Sequence, residues 1–107
     1  MADYEQICFQ LITNAGTAKS NYFLAIQQAK EGNFEEVDRL MEAADQVLIE
    51  AHQIHSTLIK QEAGGNPIQM NLLLSHSEDL MMNAETVKDF AILFIDLFRN
   101  YNIEPKK

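Results

Sequence analysis

The sequence predicts an all-α fold of three long antiparallel helices in an up-down-up bundle. Apolar residues recur with alternating spacings of four and three along most of the chain, which is the period of packed helices. Helix breakers cluster in two places, Glu31-Gly32-Asn33 and Gly64-Gly65-Asn66-Pro67. They divide the chain into three segments of roughly 27 to 30 residues, each about 40 Å long as a helix. We expect residues 1–107 to form one domain, with a short polar tail at about 102–107.

The first segment carries a single apolar line that a helix would present on one face. Its members are Tyr4, Cys8, Leu11, Ala15, Ala18, Tyr22, Ala25 and Ala29. Small residues such as Ala15 and Ala18 favour close approach of a second helix. The only cysteine, Cys8, lies on this line, so a buried core thiol is its expected role.

The second and third segments each carry two apolar lines. The second segment has a main line at Phe34, Val37, Met41, Ala44, Leu48, Ala51, His55 and Leu58, and another at Leu40, Val47 and Ile54. The third, from about Met70 to Tyr101, has one line at Leu73, Leu80, Val87, Phe94 and Tyr101, and another at Leu72, His76, Asp79, Asn83, Thr86, Phe90, Leu93 and Leu97. A lone three-helix bundle buries one stripe per helix, so the surplus lines predict self-association.

The charge balance restricts the class of partner. The chain has 16 acidic and 8 basic residues and a net charge of -8, which disfavours binding to nucleic acid or to anionic membranes. Its longest apolar run, Phe90–Ile95, is followed by Asp96 and is far shorter than the ~20 residues of a membrane-spanning helix. The first five residues, Met1–Glu5, lack the basic and apolar regions of a secretion signal. We therefore expect a soluble cytoplasmic chain whose partners are proteins or small molecules.

His76 and Asp79 are the strongest candidates for chemistry. They lie three residues apart, so they share one face of a helix. A neutral imidazole is a competent nucleophile near pH 7, and a nearby carboxylate can fix its tautomer. The same two side chains would also suit a polar contact in a helix interface. Two classes of function therefore stay open: a phosphohistidine carrier and a non-catalytic helical interaction module.

His52 and His55 have a spacing that could hold a metal ion on one helix. A helical di-metal carboxylate site would require Glu-x-x-His pairs, and no glutamate stands three residues before His52, His55 or His76. We therefore expect capping, core or interface roles for His52 and His55. The sequence also lacks a glycine-rich phosphate loop, a CxxC pair and a Ser-His-Asp signature.

Several short motifs occur in a characteristic order between about Leu11 and Phe98. They are Asn14-Ala15-Gly16-Thr17-Ala18-Lys19-Ser20, Ala29-Lys30-Glu31-Gly32-Asn33-Phe34, Glu50-Ala51-His52, Leu58-Ile59 with Glu62-Ala63-Gly64, and His76 with Asp79, Met82, Asn83 and Ala84. In this order and spacing the sequence resembles the enzyme IIA component of the lactose/cellobiose branch of the bacterial sugar phosphotransferase system. A histidine-phosphotransfer domain of two-component systems is the other helical carrier, but it usually has a lysine and a glycine soon after its histidine.

The resemblance implies a specific function for this chain. His76 would accept a phosphoryl group from phospho-HPr and pass it to a cysteine of the cognate IIB protein or domain during uptake of a lactose/cellobiose-type sugar. Asp79 would meet its two symmetry mates on the axis of a homotrimer, around one Mg²⁺ per trimer. The membrane component of such systems recognises the sugar, so no residue here indicates which sugar is transported.

Three residues depart from the family pattern. Glu78 stands where the family usually has glutamine, Leu80 where it has a second histidine, and His55 where it has glutamine. A carboxylate next to a phosphorylated His76 would add like charge and make the phosphoryl group less stable or more readily donated. Loss of the second histidine would remove a possible hydrogen-bond donor. The alternative is a divergent regulatory paralogue with another role.

Overall fold

The computed structural model describes residues 4–101, and within that range it consists of three long helices. Helix α1 spans Tyr4–Lys30, α2 spans Phe34–Ala63 and α3 spans Leu72–Asn100. They form a rod of 54 × 20 × 20 Å, which confirms the predicted all-α architecture. Helix α3 begins two residues after Met70 and ends one residue before Tyr101. The predicted polar tail lies outside the described residues.

Both predicted breakers form tight turns that depend on glycine. Gly32 has a φ of 80° and Gly65 has a φ of 92°, values that side-chain-bearing residues rarely adopt. After Gly32, the backbone N–H of Asn33 donates to the carbonyl oxygen of Gln28 at 3.0 Å. This bond satisfies a carbonyl at the end of α1 and returns the chain antiparallel to it.

Helix α1 is the centre of the bundle, because it packs along both α2 and α3 while those two contact each other much less. Its buried residues are Cys8, Leu11, Ala15, Ala18, Tyr22, Ala25 and Ala29. The predicted apolar line of this helix is confirmed, with Tyr4 partly buried at its end. Cys8 is only 1% exposed, so the expected core thiol is confirmed as well. The alanines on this line leave room for neighbouring helices at short interaxial distance.

Helix α3 buries a line that its apolar periodicity did not single out. The buried residues are Leu74, Ser77, Met81, Ala84, Ala91 and Ile95. Of the two predicted lines, the one through Leu73, Leu80 and Val87 is only half-buried, and the one through Leu72, His76 and Asp79 is exposed along its whole length. The difference has a steric cause. Three of the six buried positions carry serine or alanine, so small side chains let α3 approach α1 closely, while bulky residues such as Phe90 and Leu93 stay exposed.

A polar contact joins all three helices near the middle of the rod. The Tyr22 ring is fully buried, and its hydroxyl donates to Asp45 Oδ1 at 2.5 Å. Lys88 Nζ lies 3.2 Å from the same oxygen. Burial, together with the hydrogen bond to Asp45, raises the pKa of Tyr22 well above its usual value. Tyr22 therefore stays protonated and connects α1 to α2, while Lys88 adds α3.

We expect Tyr22→Phe to lower the free energy of unfolding by about 1–2 kcal/mol, because Asp45 loses a hydrogen-bond donor. Denaturant unfolding at fixed protein concentration would measure the change. Because folding raises the pKa of Tyr22, its contribution is present at neutral pH and is lost as pH rises above about 10, where the unfolded phenol ionises. A Phe variant with unchanged stability and an unchanged alkaline slope would contradict this role.

Candidate functional site

His76 lies in the second turn of α3 with its side chain exposed. Within residues 4–101 its imidazole has no hydrogen-bond or ion-pair partner. The helix around it is well fixed. Asn71 caps α3 by accepting a hydrogen bond from the Leu74 backbone N–H at 2.8 Å, and the buried Ser77 hydroxyl donates to the Leu74 carbonyl oxygen at 2.8 Å. A free nucleophile therefore stands on a rigid helix start.

An open apolar groove adjoins His76. It has a volume of about 480 Å³ and is lined by Leu72, Leu73 and His76. Leu72 is 87% exposed, whereas Leu73 packs against the apolar cluster formed by Cys8 and Leu11 of α1 with residues of α2 and α3. A wide shallow groove with an apolar lining and one polar group suits the surface of a partner protein better than a small molecule.

A continuous exposed stripe runs along α3 from Leu72 to Leu97. The α3 stripe consists of Leu72, His76, Asp79, Asn83, Thr86, Phe90, Leu93 and Leu97. Its spacings of four and three are those of a coiled-coil seam. Phe90, Leu93 and Leu97 remain 54%, 60% and 41% exposed within residues 4–101. Asp79 has no hydrogen-bond or ion-pair partner in this range.

Pairs of ionisable side chains connect α2 and α3 on the side of α3 that faces α2. Within residues 4–101 the bridging pairs are Asp38–Arg99 at 3.0 Å, Asp45–Lys88 at 3.2 Å, His55–Glu78 at 2.6 Å, and His52–Glu85. We call this set the α2–α3 charge ladder. The two contacts nearest the start of α3 pair a histidine with a glutamate. They explain both histidines of α2 as interhelix contacts, and no cluster of three or more metal-binding side chains is found in the described range.

The departures from the family pattern now have structural roles. Glu78 points toward α2 and contacts His55. Its carboxylate therefore does not lie next to His76, contrary to the expectation from its place two residues later in the sequence. Residues two apart on a helix do not face each other. Leu80 packs against the apolar cluster in the middle of the bundle. Both Glu78 and His55 depart from the family pattern, and their pairing was not predicted, although two departures that could form a histidine–carboxylate contact were an available signal.

Comparison with known proteins identifies the family. The model of the lactose/cellobiose-specific IIA subunit of the PTS system matches residues 6–99. The oligo-β-mannoside-specific EIIA component of the PTS system of Bacillus subtilis is 40% identical over 99 residues, which cover 92% of this chain and 90% of that protein. The chain belongs to the lactose/cellobiose-specific IIA family of phosphotransferase-system components. The resemblance inferred from its motifs is thereby confirmed.

Solved structures of IIA proteins share the fold. The crystal structure of the cellobiose-specific enzyme IIA of Bacillus anthracis has a TM-score of 0.90 and 43% identity, covering 95% of this chain and 94% of that one. The IIA(chitobiose) protein of Escherichia coli, solved in complex with HPr, has a TM-score of 0.82 and 27% identity, covering 96% of this chain and 100% of its own. In this IIA-family chain, none of the helices between residues 4 and 101 has the length and apolar character to cross a membrane.

The Asn71 cap provides a test of how the start of α3 is held. We expect Asn71→Ala to destabilise the first turn by about 1 kcal/mol, since one helix N–H loses its acceptor. Amide exchange at Leu74 should then become about fivefold faster. Asn71→Ser is the matched control, because serine also caps helices and should retain most of the protection. Equal exchange rates in the alanine, serine and unchanged chains would show that the cap is not needed.

Proposed function

We propose that this chain is a phosphoryl carrier that accepts a phosphoryl group from phospho-HPr on His76. It then passes the group to a cysteine of the cognate IIB protein or domain during uptake of a lactose/cellobiose-type sugar. The observation that carries the proposal is the free, exposed imidazole of His76 beside an apolar groove, on the first turns of α3. The IIA(chitobiose) protein, solved in complex with HPr, supports HPr as the donor.

The chemistry needs few groups from this chain. An unprotonated imidazole nitrogen of His76 attacks phosphorus, and the N–P bond to the donor histidine of HPr breaks as the new N–P bond forms. In the second step a cysteine thiolate of IIB attacks phosphorus, and the bond to His76 breaks. Positioning by two protein surfaces supplies most of the catalysis in such transfers. An accessible nucleophile next to a docking groove fits that requirement.

We further propose that the α3 stripe joins three copies of the chain. Four of its eight positions are apolar, Leu72, Phe90, Leu93 and Leu97, and all eight are exposed in the single chain. Exposed apolar side chains grouped on one helix face favour an interface. Asp79 and Asn83 interrupt it, and polar residues at such positions select the number of strands and their register at some cost in stability. His76 lies near the end of the stripe beside the groove, where a partner protein can reach it.

The expected metal ion follows from the same assembly. One chain would contribute a single carboxylate, Asp79, since residues 4–101 contain no group of three or more side chains that could hold a metal ion. Three symmetry-related carboxylates at an axis would repel one another strongly. Because oxygen ligands suit a hard cation, Asp79 from each copy is the residue that would hold a Mg²⁺. The ion would supply charge neutralisation at the axis.

We propose a lactose/cellobiose-type sugar as the transported substrate and the cytoplasm as the location of this chain. The family members and solved structures compared above are named for oligo-β-mannoside, cellobiose and diacetylchitobiose, so similarity does not select one sugar. The proposed donor HPr and the buried free thiol of Cys8 favour the reducing cytoplasm as the cellular location.

Removing His76 tests the carrier function. We expect His76→Ala to stay folded, because the side chain is exposed and makes no contact that the fold needs. Incubated with phosphoenolpyruvate, enzyme I and HPr, the unchanged chain should gain one phosphoryl group by intact mass, and the group should be acid-labile. The alanine variant should gain none. Phosphorylation that persists without His76 would rule out this residue, and an unchanged chain that gains no mass would favour the helical interaction module.

Replacing Asp79 tests the assembly and the metal separately. We expect light scattering of the unchanged chain at micromolar concentration to give the mass of three copies. Asp79→Leu should keep that mass, raise the melting temperature by at least a few degrees as the repulsion disappears, and remove any effect of EDTA on melting. Asn83→Leu is the matched apolar substitution and should leave the EDTA effect in place. A folded monomer would reject the trimer, and a trimer indifferent to EDTA would reject the metal.

A further inference from the structure

The imidazole of His76 has no hydrogen-bond or ion-pair partner within residues 4–101, so the fold places it only through the position of the α3 backbone. Near His76, α3 is held by the Asn71 cap and by packing of Leu73, Leu74 and Ser77. Burial of Leu74 and Ser77 selects the face of α3 that meets the core. The contact of Glu78 with His55 adds a polar attachment on the side that faces α2.

The His55–Glu78 contact is close and shielded. The His55 Nδ1 and Glu78 Oε2 atoms lie 2.6 Å apart, and the two side chains are 30% and 20% exposed. Together with Leu58 and Leu74 they line a cleft of about 170 Å³, and the Nδ1 atom itself is buried. The Nδ1 atom makes no aligned hydrogen bond, and the contact is an ion pair when His55 is protonated. Solvent screening is weaker for such a pair than for an exposed one.

We propose that His55 and Glu78 are positioning residues for phosphoryl transfer. Their contact holds the first two turns of α3 in one rotational setting against α2 and so aims the His76 imidazole at the incoming phosphoryl group. The inference rests on the carrier function proposed above. Displacing a reacting group by about 1 Å can slow a reaction by as much as 10², so a small rotation of α3 is enough to matter.

The α2–α3 charge ladder contains its own control. His52 and Glu85 form a second histidine–glutamate contact between the same two helices. Glu85 lies nine residues beyond His76, about 13 Å along the helix at 1.5 Å per residue, whereas Glu78 lies only about 3 Å along it. Losing either contact removes one histidine–glutamate contact between α2 and α3. Only the loss of His55–Glu78 removes one from the turns that carry His76.

The test compares rates of phosphoryl uptake from phospho-HPr. We expect His55→Ala and Glu78→Ala each to lower the rate at saturating phospho-HPr on the order of tenfold, with an unchanged half-saturating concentration and the same final phosphorylation. The double variant H55A/E78A should be no slower than either single variant. The uncharged pair H55Q/E78Q can bond through its amides and should restore the rate to within about twofold. His52→Ala should transfer at the unchanged rate.

Each contrary result has a distinct meaning. Unchanged rates in both His55→Ala and Glu78→Ala would overturn the proposal. An equal loss of rate in His52→Ala would overturn it too, because the effect would then reflect the stability of the whole ladder. If the alanine variants fail to fold by circular dichroism, H55Q and E78Q singly take their place, and the same comparison decides. A wild-type chain that takes up no phosphoryl group would remove the carrier function and this inference together.

Discussion

Close packing of small side chains along α1 is the constraint on which the rest of the structure depends. Four of the seven buried residues of α1 are alanine, and α3 meets α1 with serine and alanine at half of its own buried positions. Such surfaces bring helix axes near each other but leave little space for bulky side chains between them. Several bulky side chains of α3 therefore remain exposed, namely Leu72, Phe90, Leu93, Phe94 and Leu97. The apolar area that the bundle does not bury becomes available for an interface between copies.

The different faces of α3 have different roles. One side packs on α1, a second carries the glutamates and basic residues of the charge ladder toward α2, and the α3 stripe is free. His76 stands at the end of the stripe, where the apolar groove begins. The nucleophile there is attached to a rigid, packed helix, and its side chain remains accessible to large partner proteins. This arrangement suits a protein that receives a group from one surface and delivers it to another.

The sequence predicts the three helices and the buried line of α1 well, because glycine breakers and a regular apolar period specify them directly. The buried line of α3 was not predictable in the same way. Apolar residues occupy most of the circumference of that helix, so its period fits several faces, and the buried one is marked by small residues such as Ala84 and Ala91. The pairing of His55 with Glu78 depends on the register between two helices, which the pattern within one helix does not contain. The motifs around His76 could be recognised, whereas the free state of its imidazole required the structure.

Native mass spectrometry of the chain during phosphorylation by phosphoenolpyruvate, enzyme I and HPr measures assembly and modification in one spectrum. It tests whether the α3 stripe joins three copies while His76 stays accessible near the end of the stripe. We expect a complex of three chains that gains up to three phosphoryl groups without dissociating. Single chains throughout, or a complex that must dissociate before it is phosphorylated, would contradict it.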